Sequence, residues 1–348
     1  MQARARIEEA IGRAGGWISF ERYMQLALHE PGIGYYASGA QKFGVRGDFV
    51  TAPELGKLFG RTLARQLRPF ERVLEFGAGS GALADVLTEE LDCEYWVLET
   101  SAELRERQRA RLGDRVRHID RLPEGFRGAM IANEVVDAMP VHLVHWTAGG
   151  ILERGVGAAL AWAERPASSE LVAAAQVLDV SGPYLSEINL AARAWMRSLV
   201  QALEAGAIFV IDYGFPRHEY YHPQRSSGTL MCHYQHQAHA DPFARPGEED
   251  ITAHIDFTAL AESAHDAGAE ILGYTTQAQF LVNCGITEVL GETNAENALR
   301  YAPIAAQAQR LLSPAEMGEL FKVLAVGKGP TVPRPLAGFT RGDRSHTL

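Results

Sequence analysis

Apolar and polar positions along this chain follow two rhythms. As far as about residue 70 the apolar positions recur with helical spacing, around Arg4 to Ala14 and around Phe20 to His29. A loop then runs from Pro31 to Asp48 and holds Gly32, Gly34, Gly39, Gly44 and Gly47. Thr51-Ala-Pro-Glu54 after it has the form of a capping box, with Thr as N-cap and Glu three residues on, and predicts a helix from Leu55 to Gln66. From Arg72 short apolar strands alternate with helical stretches: Val73 to Phe76, Ala82 to Leu91, Tyr95 to Leu98, Glu103 to Arg111. Val116 to Ile119, Ala129 to Ala132 and Ile208 to Ile211 are three more candidate strands. Such alternation predicts an α/β fold with a doubly wound, mostly parallel sheet and right-handed crossovers.

Between the last two of these strands the chain is long. Val141 to Trp146, Ile151 to Val156 and Leu160 to Ala163, separated by Gly149-Gly150 and Gly157, predict a small antiparallel insertion, followed by a long helix around Glu187 to Glu204. The stretch from Tyr213 to Asp250, rich in His, Tyr, Pro and Gly, reads as a mobile lid carrying Tyr220, Tyr221 and Tyr234. Order returns with a helix near Phe257 to Ala267, a strand near Glu270 to Tyr274, helices from Gln277 to Leu312 and a strand near Phe321 to Val326. The expected divisions are an N-terminal helical and lid segment (1–70), a ligand-binding half of the core (71–140), an insertion (141–205), a second core half with the lid loop (206–330) and a loose tail (331–348).

Composition narrows the class. Of 348 residues, 47% are hydrophobic and 22% charged, enough for a large core. The net charge of -10, with no long basic run, argues against general nucleic-acid binding. Three scattered cysteines fit a reducing compartment, and neither a leader pattern nor a membrane span is visible, so a cytoplasmic location is expected. Oligomeric state is not legible.

The chemistry concentrates at Arg72-Val-Leu-Glu-Phe-Gly-Ala-Gly-Ser-Gly81. An apolar strand meets three alternating glycines, Gly77, Gly79 and Gly81, with Ala78 between, and a helix starts at once. Glycine allows the sharp turn and a close approach of ligand to backbone amides. Glu75 stands at the strand end, where a carboxylate can face the amino-acid part of a sulfonium cofactor. Glu99 ends the next strand, where an acid can accept from both ribose hydroxyls, with Ser101 just beyond. Gly77-x-Gly79-x-x-Ala82 also fits a dinucleotide fingerprint, so an S-adenosyl-L-methionine site, a dinucleotide oxidoreductase and a purely structural turn all remain open on these residues.

Other acids have plainer readings beside the functional ones. Asp120 follows the third strand, where an acid can recognise the adenine amine or stand in a solvated loop. Glu54 is explained on its own as the acid of the capping box. Asp212 faces the cleft or caps Tyr213-Gly214. His233, His236 and His239, with Cys232 beside them, do not complete a four-ligand set, and no metal is expected.

Several segments together resemble the MidA family of methyltransferases. They are His29-Glu-Pro-Gly-Ile-Gly-Tyr-Tyr36, Gly47-Asp-Phe-Val-Thr-Ala-Pro-Glu54, Glu75-Phe-Gly-Ala-Gly-Ser-Gly81, Ala132-Asn-Glu-Val-Val-Asp-Ala-Met-Pro140, Ile211-Asp-Tyr-Gly214, Asp250-Ile-Thr-Ala-His-Ile-Asp-Phe257 and Met317-Gly-Glu-Leu-Phe-Lys-Val323. They span roughly residues 20 to 326, and the resemblance implies that Asp48 and Glu54 belong to a flap over the cofactor. The resemblance implies the seven-stranded class I methyltransferase sheet and S-adenosyl-L-methionine as cofactor. It also implies methylation of an arginine in a protein partner, since mitochondrial members modify a subunit of respiratory complex I; a subunit of a related quinone oxidoreductase is then the expected partner. Asn133, Glu134 and Asp137, at the carboxyl end of the fourth strand, become the expected catalytic group, with Glu134 clamping guanidinium, Asp137 as its partner and Asn133 also near the cofactor. A plainer reading has Asn133 capping a helix whose N-terminus the acids favour. A non-catalytic assembly factor that retains the fold is a third possibility for the whole chain.

Overall fold

The computed structural model describes residues 2–37, 51–330 and 332–348. Its centre is a sheet of seven strands in line, ordered Glu270–Thr276, Phe321–Lys328, Leu203–Phe215, Phe126–Asn133, Arg72–Phe76, Glu94–Leu98, Arg117–Ile119, with the two-residue strand Ile255–Asp256 beside Leu203–Phe215. Pairing is parallel from Leu203–Phe215 to Arg117–Ile119, while Phe321–Lys328 runs antiparallel to both neighbours. This is the expected doubly wound class I methyltransferase sheet. The continuous apolar runs have a physical cause, because the central strands are buried on both faces. In Leu203–Phe215, Ala207, Phe209 and Ile211 enter one hydrophobic cluster, and Ile208 and Val210 enter another on the opposite face.

Strand order reverses between Arg72–Phe76 and Phe126–Asn133. The glycine turn leaves the first and Glu134 follows the second, so the crevice that open α/β sheets offer to ligands falls between them.

The N-terminal segment has the two expected helices, Gln2–Arg13 and Phe20–His29, the second capped by Ser19, which accepts the Arg22 N–H at 3.0 Å. Between them Trp17–Ser19 forms a strand that the apolar pattern did not reveal. It joins the insertion sheet, ordered Trp17–Ser19, Gly150–Gly157, His142–Thr147, Tyr184–Ile188, with Ala161–Pro166 on the other edge of Gly150–Gly157. Ile7, Phe20, Tyr23 and Met24 share one hydrophobic cluster with Val141, Leu143 and Val156.

Four expectations need correction. The capping box does not form: Thr51 makes no side-chain cap, Ala52–Leu55 is a short 3-10 turn, and Gly56 at φ 143° separates it from the helix Lys57–Leu67. The helix expected from Glu187 begins only at Leu190; Glu187 lies in the strand Tyr184–Ile188, preceded by the helix Ser169–Gln176. The stretch from Tyr213 to Asp250 is not structureless, because Met231–Tyr234 pairs with Gln237–His239 and with Asp250–Thr252. Tyr220 and Tyr221 are buried there and donate to the Oε2 and the backbone carbonyl of Glu187, at 3.0 and 3.1 Å, which makes them core residues. The tail is docked: Leu336 and Phe339 are buried, and the Gly338 N–H donates to Gln66 Oε1 at 2.8 Å.

Candidate active site

A cavity opens at the switch point. It is lined by Gly77, Ala78, Gly79 and Ser80 of the turn, by Glu75 and Glu99 from the strand ends, and by Asn133, Glu134 and Asp137. The turn is left-handed at Gly77 (φ 58°), Gly79 (φ 56°) and Gly81 (φ 79°), a conformation that costs side-chain-bearing residues. A Cβ on Gly77 would press on Val135 Cγ2 at 3.3 Å. Gly81 stands back from the cavity and starts the helix Ala82–Glu90.

Glu75 is buried, takes the Tyr95 hydroxyl at 2.8 Å, and burial pushes its carboxyl up to about 7. Glu99 accepts the Ser101 N–H at 2.9 Å and Gln108 Nε2 at 3.1 Å, and burial raises it as well. A second, apolar cavity begins at Gly77, Thr100 and Ser101 and continues past Leu98, Leu122 and Val135, a setting that suits a flat ring such as adenine. Asp120 is not part of either cavity: its side chain is 84% exposed and paired with Arg105.

The opposite wall is built on Glu134, which has φ 53°, rare for a residue with a side chain. Its N–H donates to the Ile211 carbonyl at 2.9 Å, and its Oε1 accepts Asn133 Nδ2 at 3.1 Å and the Ala52 N–H at 3.2 Å. Burial, with Asp137 next, pushes its carboxyl up to about 8. Asp137 takes the Tyr213 hydroxyl at 2.6 Å and is raised to about 6, burial outweighing that bond. Asp212, wholly buried, is held well above the usual range by burial and by both other acids. It accepts N–H groups from Val136 at 3.0 Å, Asp137 at 3.2 Å and Tyr213 at 2.9 Å, so it pins the turn that carries Asp137. No helix follows Asn133, and its reading as a helix cap is corrected; the next element is the strand His142–Thr147. Its Oδ1 is buried with no hydrogen-bond partner.

Other lining residues were missed from sequence. His29 and Tyr36 stack at 5.6 Å in the cavity wall, and Tyr36 donates to Asp250 Oδ1 at 2.8 Å. Their side chains look like core aromatics in one dimension, and only the resemblance over His29 to Tyr36 marked them. Glu54 lines the cavity too and accepts the Ser80 hydroxyl instead of capping a helix; Asp48 lies outside the described residues.

The donor set fits S-adenosyl-L-methionine, which carries an ammonium and a sulfonium. Burial raises Glu75, Glu99, Glu134 and Asp137, and a cationic ligand beside them favours their charged forms. A dinucleotide would bring an anionic pyrophosphate to a turn flanked by Glu54, Glu75 and Glu134. Residues 55–275 match the family model described as "Putative S-adenosyl-L-methionine-dependent methyltransferase". The chain belongs to that family. A solved Burkholderia thailandensis protein bound to S-adenosyl-homocysteine superposes with a TM-score of 0.95 at 49% identity, covering 100% of this chain and 96% of that one. A native structure of a protein from the same organism gives 0.92 at 47% identity, with 100% and 96% covered. The Drosophila melanogaster homolog of a mitochondrial protein arginine methyltransferase is 27% identical, over 93% of this chain and 86% of its own length. This methyltransferase therefore uses S-adenosyl-L-methionine, and the dinucleotide reading is not favoured.

When bound, the cofactor supplies a methyl group already activated on sulfonium. Glu75, the glycine turn and Glu99 would hold it, and Glu134 and Asp137 line the same cavity. No described helix is long and apolar enough to cross a membrane.

Proposed function

We propose that this methyltransferase modifies an arginine side chain of a protein, with Glu134 and Asp137 holding the guanidinium. The observation that carries this reading is a shared wall. Glu134 and Asp137 line the cofactor cavity and also an outer cavity with Tyr213, Asp250, Thr252 and His254. A long side chain entering from outside meets these two carboxylates before it reaches the methyl donor. In the outer cavity Arg310 is offset by Glu316 at 3.2 Å, which leaves Glu134, Asp137 and Asp250 as an acidic path for a cation.

Guanidinium presents several N–H donors in a plane, and a carboxylate can take two of them while orienting the attacking nitrogen. The nitrogen must lose a proton as the new N–C bond forms. Asp137, raised but tied to Tyr213, is the acid placed to receive it. Asn133 aligns Glu134 through its Nδ2, and Asp120 stays a second candidate for the adenine amine only if it leaves Arg105.

Relatives named as protein arginine methyltransferases support the substrate class. A subunit of a complex I-like quinone oxidoreductase is the first partner to test, and the mitochondrial naming of the relatives leaves a cytoplasmic location here as a proposal. Purified enzyme is incubated with S-adenosyl-L-methionine and an extract lacking its own copy, and modified peptides are mapped by mass spectrometry. New methylarginine in a quinone oxidoreductase subunit is the expected result. Methylation of another residue type would overturn the arginine reading, and capture of partners without turnover would favour an assembly factor that only retains the fold.

A further inference from the structure

The small sheet beside the outer cavity brings together three donor side chains. Cys232 in Met231–Tyr234 lies directly opposite His239 in Gln237–His239 and opposite Ile251 in Asp250–Thr252. Directly opposed residues share a face of a sheet, as Cys232 and His239 do, and Glu249 comes beside them from the bend that leads into Asp250–Thr252. Their ligand atoms all lie within 4.8 Å of one another.

We propose that Cys232, His239 and Glu249 form a binding site for one divalent transition-metal ion of the zinc type, with water as fourth ligand. His239 Nε2 and Glu249 Oε2 are buried atoms 3.1 Å apart, an ion-pair distance at which the geometry of a good hydrogen bond is not met. Two ligands of one tetrahedral ion stand in that relation, about 3.3 Å apart when each bond is about 2.0 Å. Glu249 is fully buried and its other oxygen, Oε1, is taken by the Arg245 N–H at 3.3 Å, which orients Oε2 toward the gap. The Arg245 guanidinium is 3.8 Å from Oε2, partly exposed and stacked over the Tyr234 ring at 4.3 Å.

The donor types select the ion. Sulfur, imidazole and a single carboxylate oxygen suit zinc or its neighbours and not magnesium or calcium, which take oxygen sets. Burial and the neighbouring Glu249 raise the Cys232 thiol. An ion there would displace the thiol proton to solvent and neutralise the buried carboxylate. The sequence concealed this set because Glu249 stands well after the His-rich run, and the bend before Asp250–Thr252 brings it back.

The test uses the full chain, dialysed against chelator and titrated with cobalt(II). Uptake of one equivalent with a thiolate-to-cobalt charge-transfer band in the near ultraviolet, bleached by zinc, is expected. The band should vanish in Cys232→Ser and weaken in Glu249→Gln, while S-adenosyl-L-methionine affinity, followed by calorimetry, changes less than twofold. Should Cys232→Ser fail to fold, Cys93→Ser and Cys284→Ser assign the band by elimination, since these are the other two cysteines. No band in the native protein, or a band lost with Cys93 or Cys284, overturns the proposal whatever the substrate of the enzyme proves to be.

Discussion

Glu134 Oε1 accepts the backbone N–H of Ala52 at 3.2 Å, joining a residue of the switch-point crevice to the segment that follows the glycine-rich loop. The contact ties Glu134 to the segment whose Thr51, Pro53 and Glu54 line the same cavity. Glu134→Gln keeps the size and an oxygen for Ala52 but loses the charge. We expect S-adenosyl-L-methionine affinity to remain within about threefold, or roughly 0.7 kcal/mol, and the methylation rate to fall by about 100-fold or more. Calorimetry and a turnover assay read the two quantities, and a fully active variant would remove Glu134 from the clamp.

The pH profile follows from the same acid. A clamp must be ionised, and Glu134 in the free enzyme ionises only near pH 8. The kcat/KM of the native enzyme should therefore rise with pH up to about 8, whereas a bound guanidinium favours the carboxylate and moves the kcat limb to lower pH. Glu134→Gln should lose that limb; an unchanged profile would assign it to another group.

Stability should run the opposite way. Glu75, Glu134 and Asp137 are all raised in the folded protein, to about 7, 8 and 6, so the fold binds more protons than the unfolded chain. Their contribution is complete below the ordinary carboxylate range and is lost as pH climbs toward 8. Denaturant melts of the cofactor-free protein should show stability falling from about pH 5 to pH 8, with S-adenosyl-L-methionine flattening the slope. A slope of the opposite sign would contradict the buried-acid assignment.

Glu99 and Asp120 should separate cleanly. Glu99→Ala removes a buried acceptor and is expected to weaken S-adenosyl-L-methionine binding by about 1 to 3 kcal/mol. Asp120→Ala breaks only an exposed ion pair with Arg105 and should leave the affinity within about twofold. Equal losses in a titration would show that Asp120 reaches the adenine after all.

The docked tail gives a stability test remote from chemistry. Phe339 is 5% exposed and meets Phe280 at 5.4 Å. Phe339→Ala should cost about 3 to 5 kcal/mol in chemical denaturation. A loss under about 1 kcal/mol would mean that the tail contributes little to the fold.

The sequence alone determined the doubly wound core, the glycine turn with Glu75 and Glu99, and the presence of acids after the fourth strand. These are local: two-sided burial forces apolar runs such as Ala207 to Ile211, and left-handed backbone forces glycine at 77 and 79. Only the tertiary structure decided what non-local contacts decide. Trp17–Ser19 is too short to announce itself and is a strand because Gly150–Gly157 pairs with it. Thr51 and Glu54 matched a helix cap in sequence, but Ser80, on the glycine turn, supplies the competing partner for Glu54. Asp212 could be read as facing the cleft or as a cap, and the N–H groups of Val136 and Asp137, brought beside it by strand pairing, fix its role. His29, Tyr36 and Glu249 carried no pattern of their own, because a side chain's neighbours across a fold are set by packing and register and not by its neighbours along the chain.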